Sequence, residues 1–221
     1  MRRPLLAGAL LLAIPALLAA TGTQGPRSLD ELMAQMAQTR GVRARFREHK
    51  EVSLLAAPVE TRGMLYFVPP DRFARHTTAP GSSWLTIEGG ALRFRDEVGS
   101  QDVDLSSDPV AREFVQHFVV LWSGNLAALR ERYEATFHAG KAGAWSLQLR
   151  PRSKRLRHFV QEIRVRGQAD AVREMQLVEA DGDRTTTRFE SMEPDHAFTP
   201  AELSQVFSAP ADGKGRPSQA P

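Results

Sequence analysis

Apolar positions change period several times along the chain, and each change predicts an element. Leu29, Leu32, Met33 and Met36 recur at helical spacing. Ser28-Leu29-Asp30-Glu31 before them reads as a capping box, with Ser28 as N-cap and Glu31 reaching back. The helix should end near Arg40-Gly41. From Val42 the period drops to two: Val42, Ala44 and Phe46 alternate with Arg43, Arg45 and Arg47, a half-buried strand, and strand character continues to about Leu55. Arg62 to Val68 is a further strand, and Met64 to Val68 is apolar on both faces, so both should be covered. Arg72 to Thr78 and Ser83 to Glu88 follow, then Gly89-Gly90 as a hairpin signal and Ala91 to Glu97 as the return. Val103 and Leu105 fit a short edge strand.

Asp108-Pro109 marks a helix start, with Asp as N-cap and Pro at the first helical position. Phe114, Phe118, Leu121 and Trp122 lie on one side of that helix. Gly124-Asn125 interrupts it, and a second short helix carries Leu126 and Leu129. Alternation returns at Tyr133 to His138 and at Trp145 to Leu149, around a turn spanning Ala139 to Ala144. Residues 150–158 read as a basic loop. Phe159 to Arg166, Val172 to Ala180 and Arg184 to Glu190 are three more strands, the last two joined at Asp181-Gly182-Asp183. Thr199-Pro200-Ala201-Glu202 is a second capping box, opening a short helix with Leu203, Val206 and Phe207.

Roughly nine to eleven strands and three short helices result, mostly joined by hairpins. That pattern predicts a mainly β protein: a single antiparallel sheet with helices on one side. A twisted sheet of this size curls. The curl creates a concave face, and narrow helices make a small plug for it.

The N-terminus carries an address. Arg2 and Arg3 precede an apolar run from Leu5 to Ala20, and Ala20-Thr21-Gly22 supplies the small residues of a cleavage site. Residues 1–22 are expected to be a secretory signal peptide, residues 23–210 one domain, and residues 211–221 a disordered tail. The chain of 221 residues has 29 basic and 26 acidic side chains. Losing Arg2 and Arg3 with the leader brings 27 basic against 26 acidic, so no global field remains to steer polyanions. The absence of cysteine excludes disulfides, a thiol nucleophile, a Cys zinc site and attachment of lipid to an N-terminal Cys.

No nucleophile elbow and no phosphate-binding glycine pattern is present. The six histidines do not fall at metal-ligand spacing; Glu113 and His117, one helical turn apart, are two groups and read as a local charge pair. No metal, cofactor or catalytic residue is therefore expected, and the chain reads as a non-enzyme. Arg150, Arg152, Lys154, Arg155, Arg157 and His158 form the one dense basic run, a solvated loop or a phosphate or anionic-lipid contact. Stacking aromatics are not interleaved with it, which argues against nucleic acid. Met33 and Met36 are flexible and polarisable, suited to repacking around varied apolar ligands. An exported sheet with a plugged apolar concavity is physically a container for acyl chains, each buried CH₂ contributing about 0.8 kcal/mol.

These features together resemble the LolA/LolB-like family of periplasmic carriers of outer-membrane lipoproteins. The likeness rests on the opening helix Leu29-x-x-Leu32-Met33-x-x-Met36 and on Gly63 to Arg75, which is similar to the family's pattern of a proline followed by Phe and Arg. Pro80, Ile87 to Leu92, Trp145 to Pro151, Glu179 to Thr185 and Phe207 to Pro210 continue it. It covers about residues 28–210. The resemblance implies an unclosed β-barrel with a helical lid over a hydrophobic cavity. Its implied partners are lipoprotein acyl chains or another lipid, an inner-membrane transporter as donor and an outer-membrane acceptor. A monomer in the periplasm is implied. The family carries a latch arginine just before its proline; here that position is Pro69 beside Pro70. Alternatives are a periplasmic module that senses mislocalised lipoproteins, a carrier for another lipid or polyene export system and, more remotely, a lipid hydrolase or transferase.

The expected cavity lining is Met33 and Met36 from the first helix, Phe46, Met64, Tyr66 and Phe73 from the early strands, and Trp84, Leu92 and Phe94 from the next pair. Phe118 and Trp122 come from the middle helix, and Trp145 and Leu147 from the later sheet. Alternation alone does not say which parity faces inward, and a one-residue slip moves a whole strand's set to the other face.

Overall fold

The structure is a computed structural model and describes residues 24–208. The expected signal peptide, the end of the Phe207 to Pro210 motif and the tail lie outside the described residues. The elements are α1 (Leu29–Ala37), β1 (Val42–Glu51), β2 (Val59–Val68), β3 (Arg72–Ala79), β4 (Ser83–Glu88), β5 (Ala91–Asp96) and β6 (Ser100–Asp104). There follow α2 (Pro109–Val119), α3 (Leu126–Arg132), β7 (Tyr133–Ala139), β8 (Ala144–Pro151), α4 (Lys154–Arg157), β9 (Val160–Gln168), β10 (Ala171–Glu179), β11 (Arg184–Glu193) and α5 (Pro200–Phe207).

All eleven strands form one antiparallel sheet in the order β6-β5-β4-β3-β2-β1-β11-β10-β9-β8-β7. Two hairpin meanders meet where β1 pairs with β11. β6 and β7 are its edges, so the barrel is unclosed, as expected. Hairpin connections alternate between two rims. The mouth rim carries the turns at 38–41, 69–71, 89–90, 140–143, 169–170 and 194–196. The far rim carries those at 52–58, 80–82, 97–99, 152–159 and 180–183.

Several boundaries differ from the sequence reading. β1 stops at Glu51, because Val52 to Pro58 form an exposed turn. The basic loop contains one helical turn, α4, capped by the Ser153 hydroxyl. α1 ends at Ala37 rather than at Arg40. Its Ser28 hydroxyl accepts from Glu31 N as expected, but Glu31 reaches one residue further back and accepts from Arg27 N. The Thr199–Glu202 box is complete in both directions. Among the described residues there are five α-helices, the four helical segments named from the sequence and the added turn α4 in the basic segment.

The sheet is buried on both faces near its centre. Inside, Phe46, Leu65, Phe67, Phe73, Ile87, Leu149 and Phe189 pack against Leu32 and Met33 of α1, Val115 of α2 and Leu129 of α3. Outside, α5 places Val206 and Phe207 on Ala74, Tyr66 and Val68. Met64 to Val68 is thus covered on both faces by helices. Each fully buried Leu, Met or Phe contributes about 2 kcal/mol by leaving water. No helix among the described residues is long and apolar enough to cross a membrane.

Candidate functional site

α1 lies over the inner face at the mouth rim, and its seat depends on a glycine. Gly124, between α2 and α3, has φ +69°, and a Cβ there would stand 2.2 Å from Ala37 N and 2.6 Å from Met33 O. A side chain at 124 would therefore collide with the α1 backbone. The Asp30 carboxylate of α1 also accepts from Arg130 of α3 at 2.9 Å. Beyond the helix, Arg40 holds Asp195 through two guanidinium nitrogens, and His196 N donates to Gly41 O at 2.8 Å. These contacts tie α1 to the α2–α3 segment and its C-terminal end to the turn after β11.

Between α1 and the inner face runs a cleft of about 240 Å³. Leu32, Met36, Val42, Trp122, Trp145, Val172 and Met192 form its apolar walls, and Gln35, Gln38, Thr39, Asp170 and Asp195 form its lip. Beneath it is a smaller void of about 20 Å³, enclosed by Met33, Leu121, Leu129, Leu147, Val165 and Met175 and by five residues shared with the cleft. The deeper space contains no charged side chain.

The two tryptophans shape this space. Trp145 Nε1 donates to Ala169 O at 2.9 Å. Its ring crosses β9 where a Cβ on Gly167 would come within 2.0 Å of it, so glycine leaves the bed in which the indole lies. Trp122 meets Phe189 edge-on at 5.8 Å. Trp122 is 3% exposed, and its Nε1 has no hydrogen-bond partner. A buried donor without a partner costs roughly 1–3 kcal/mol.

The predicted residues divide by face. Met33, Met36, Phe46, Phe73, Leu92, Trp122, Trp145 and Leu147 belong to the inner core or pack against it. Phe94 shares the parity of Leu92 on β5 and is half-buried. Met64, Tyr66 and Trp84 occupy the opposite, outer face, around a space of about 560 Å³ beneath α5 with Arg43, Arg45, His76 and Phe198. His76 stands 5.2 Å from Tyr66 and 6.1 Å from Trp84, ring to ring, and Nε2 of His76 bonds to Val206 O. Phe118 lies in α2, with its side chain outside the described residues.

Sequence reasoning missed Val172, Met175 and Met192 because strict alternation fails there. The β9–β10 register shifts between Val172 and Glu174, so Val172 and Met175, three residues apart, both face inward. A second shift opposite Arg45 and Phe46 does the same for Phe189 and Met192. Leu32 and Leu129 were visible as helical stripe residues.

Towards the far rim the inner face becomes polar. Arg75 donates to both carboxylate oxygens of Glu48 at 2.9 and 2.8 Å, Thr187 adds a hydroxyl donor at 2.8 Å, and the guanidinium lies 4.3 Å above the Phe46 ring. Burial pushes the Glu48 carboxyl up, but Arg75 and the hydroxyls of Thr187 and Thr61 outweigh it and hold the group below the usual carboxylate range. Burial pushes His76 below the usual imidazole range, opposed by its bond to Val206 O. No group of three or more His, Asp or Glu among the described residues could hold a metal ion.

A family model described as outer membrane lipoprotein carrier protein LolA-like matches residues 23–206. No curated protein matches the chain. Among solved structures it is similar to a DUF1329 family protein from Desulfovibrio piger, with 10% identity over 80% of this chain and 96% of that one and a TM-score of 0.46. It is also similar to a LolA superfamily protein from Nitrosomonas europaea, with 9% identity over 80% and 96% and a TM-score of 0.41. MucB in the MucA/MucB complex of Pseudomonas aeruginosa shares 12% identity over 79% of this chain and 60% of that one, with a TM-score of 0.38.

Proposed function

The chain belongs to the LolA-like family of outer membrane lipoprotein carrier proteins, and from that membership we propose that it binds the acyl chains of lipoproteins or related lipids beneath α1 and carries them from the inner to the outer membrane. In this reading residues 1–22 direct export to the periplasm and residues 23–210 form the carrier domain. The family is a carrier family, and the chain acts by reversible binding rather than by chemistry.

The observation that carries this reading is the lining of the cleft. Its walls come from α1, the α2–α3 segment, the start of β1 and β8 to β11, and all are apolar. Its ionisable groups, Asp170 and Asp195, stand at the lip, and Asp195 is already held by Arg40. An acyl chain entering there loses its contact with water at about 0.8 kcal/mol per CH₂. Met33 and Met36 can repack around chains of different length. The unpaired Nε1 of Trp122 supplies one donor for the ester or amide carbonyl that joins an acyl chain to its head. A dry cavity of about 150 Å³ holds one benzene; the cleft of about 240 Å³ takes the start of an acyl chain, and the void of about 20 Å³ beneath it does not admit the rest. Full loading therefore lifts α1.

Native mass spectrometry of the protein purified from a periplasmic extract tests this. Co-purifying acylated protein or lipid is the expected result and identifies the cargo. In parallel, Met36→Asp, which puts a charge on the cleft wall, is expected to weaken a fluorescent fatty-acyl probe by about tenfold or more. A protein that is empty as isolated and takes up no acyl probe overturns the reading.

A further inference from the structure

The two rims differ in what they expose. Among the described residues six large apolar side chains are exposed, and five of them, Leu54, Leu55, Val59, Val98 and Phe159, are at the far rim. Leu54 is 94% exposed, Val98 90% and Phe159 60%. The loops bearing Leu54 and Phe159 are joined through the turn between them. Ser53 donates from its backbone and its hydroxyl to Asp183, and Ala180 N donates to Phe159 O. The apolar tips are thus held side by side on the framework of β1, β11, β10 and β9.

Charge is distributed unequally among the same loops. Most carboxylates there accept from neutral donors of the protein and keep their charge, Asp183 from Ser53, Asp181 from Asp183 N, Asp96 from Val98 N and Gly99 N, and Glu97 from Ser82 N, while Glu179 is paired with Lys50. Glu51 and Glu60 flank His49. Lys154 and Arg157, flanking Leu156 next to Phe159, and Arg184 at the start of β11 are exposed and make no ion pair among the described residues. Free cations beside protruding apolar side chains are the complement of a bilayer surface, where acyl boundary and anionic headgroup lie a few ångströms apart.

We propose that the far rim is a docking surface for anionic membranes, with Leu54, Leu55 and Phe159 entering the interface and Lys154, Arg157 and Arg184 meeting lipid phosphates. The cleft opens at the mouth rim, so the docked molecule presents its opening away from that bilayer. This surface is independent of the cargo assigned to the cleft.

Sedimentation of the periplasmically purified protein with vesicles of phosphatidylglycerol and phosphatidylethanolamine, and separately of phosphatidylcholine, tests the proposal. Binding is expected to the anionic vesicles, at least about tenfold weaker to the neutral ones, and to fall as salt rises. Leu54→Ser with Phe159→Ser, and separately Lys154→Gln with Arg157→Gln, each reduce binding by about tenfold. Val110→Ser, the same kind of change on the exposed turn of α2, leaves it intact. Because all these side chains are exposed, an unchanged melting temperature is expected throughout. Acyl-probe uptake on the same samples stays at the wild-type level, which separates failure of the rim from failure of the cleft. Absence of binding to both vesicles, or equal binding by wild type and rim variants, overturns the proposal and leaves the rim to a protein partner.

Discussion

Glu48 is a half-buried carboxylate at the polar end of the inner face, and its partners decide its effect. With Arg75 and two hydroxyls bound to it, its pKa lies below the ordinary carboxylate value despite burial. A depressed folded pKa contributes stability that is full above the unfolded value, about pH 4.3, and is lost as pH falls through the folded value. Thermal stability should therefore drop on acidification below that point, with part of the drop absent in Glu48→Gln. At neutral pH the same variant leaves Arg75 uncompensated over Phe46. It should lower stability by about 3 kcal/mol, the small end for a broken buried pair because Arg75 is 29% exposed; a denaturant titration measures this. Trp122 poses the opposite case, a buried donor with nothing to bind. Trp122→Phe removes that unmet donor and part of the ring, so the two effects on stability nearly cancel. The expected loss is in affinity for a fatty-acyl amide probe, with affinity for a hydrocarbon probe of equal length retained. Equal changes for both probes exclude a carbonyl role for the indole.

At the scale of elements, α1 is held by a backbone contact that only glycine permits. Gly124→Ala must move either the α2–α3 linker or α1, since the new Cβ meets Ala37 N at 2.2 Å and the backbone is left-handed at +69°. The variant should lose at least about 2 kcal/mol and take up an acyl probe faster than the wild type; stopped-flow fluorescence reads the rate. This glycine was legible in the sequence as a helix interruption, but its contact was not, because the partner lies almost 90 residues earlier. Strand legibility has the same boundary. Alternation located ten of the strands, gave a short edge at Val103 for the eleventh and identified the families of side chains. It could not orient them, so Met64, Tyr66 and Trp84 were grouped with Phe46 and Phe73 although α5 covers them on the outer face. Nor does alternation survive a bulge, which is why Val172, Met175 and Met192 became visible as wall residues only through the strand register. Local signals such as caps and hairpin glycines were read well because their causes are within a few residues. The α1 seat and the choice of face are set by contacts distant in sequence.

For the whole molecule, the open sheet and its helices make two parts of unequal attachment. β1 has β2 on one side and β11 on the other, paired along nearly its full length. α1 is attached by one buried stripe of Leu29, Leu32 and Met33, a glycine contact, an exposed ion pair worth about 0–1 kcal/mol and, just beyond its end, the Arg40–Asp195 pair and the His196–Gly41 bond. A chain that loads an acyl group into a nearly filled interior must open at the weaker part. Local opening draws on the segments with the fewest buried contacts. Hydrogen exchange with and without a bound fatty-acyl probe should therefore show faster exchange in α1 and in the α2–α3 segment once the probe is seated, while amides of β1, β2 and β11 keep their protection. Glycine at 124, unpaired Trp122 Nε1 and methionine at 33 and 36 then act together: the helix rests without interlocking, and the cavity can reshape once it lifts. A probe that binds with α1 protection unchanged would mean that the occupied space is elsewhere. The open groove of about 720 Å³ between α2 and the turns at Pro69 and Gly89 is the next place to look.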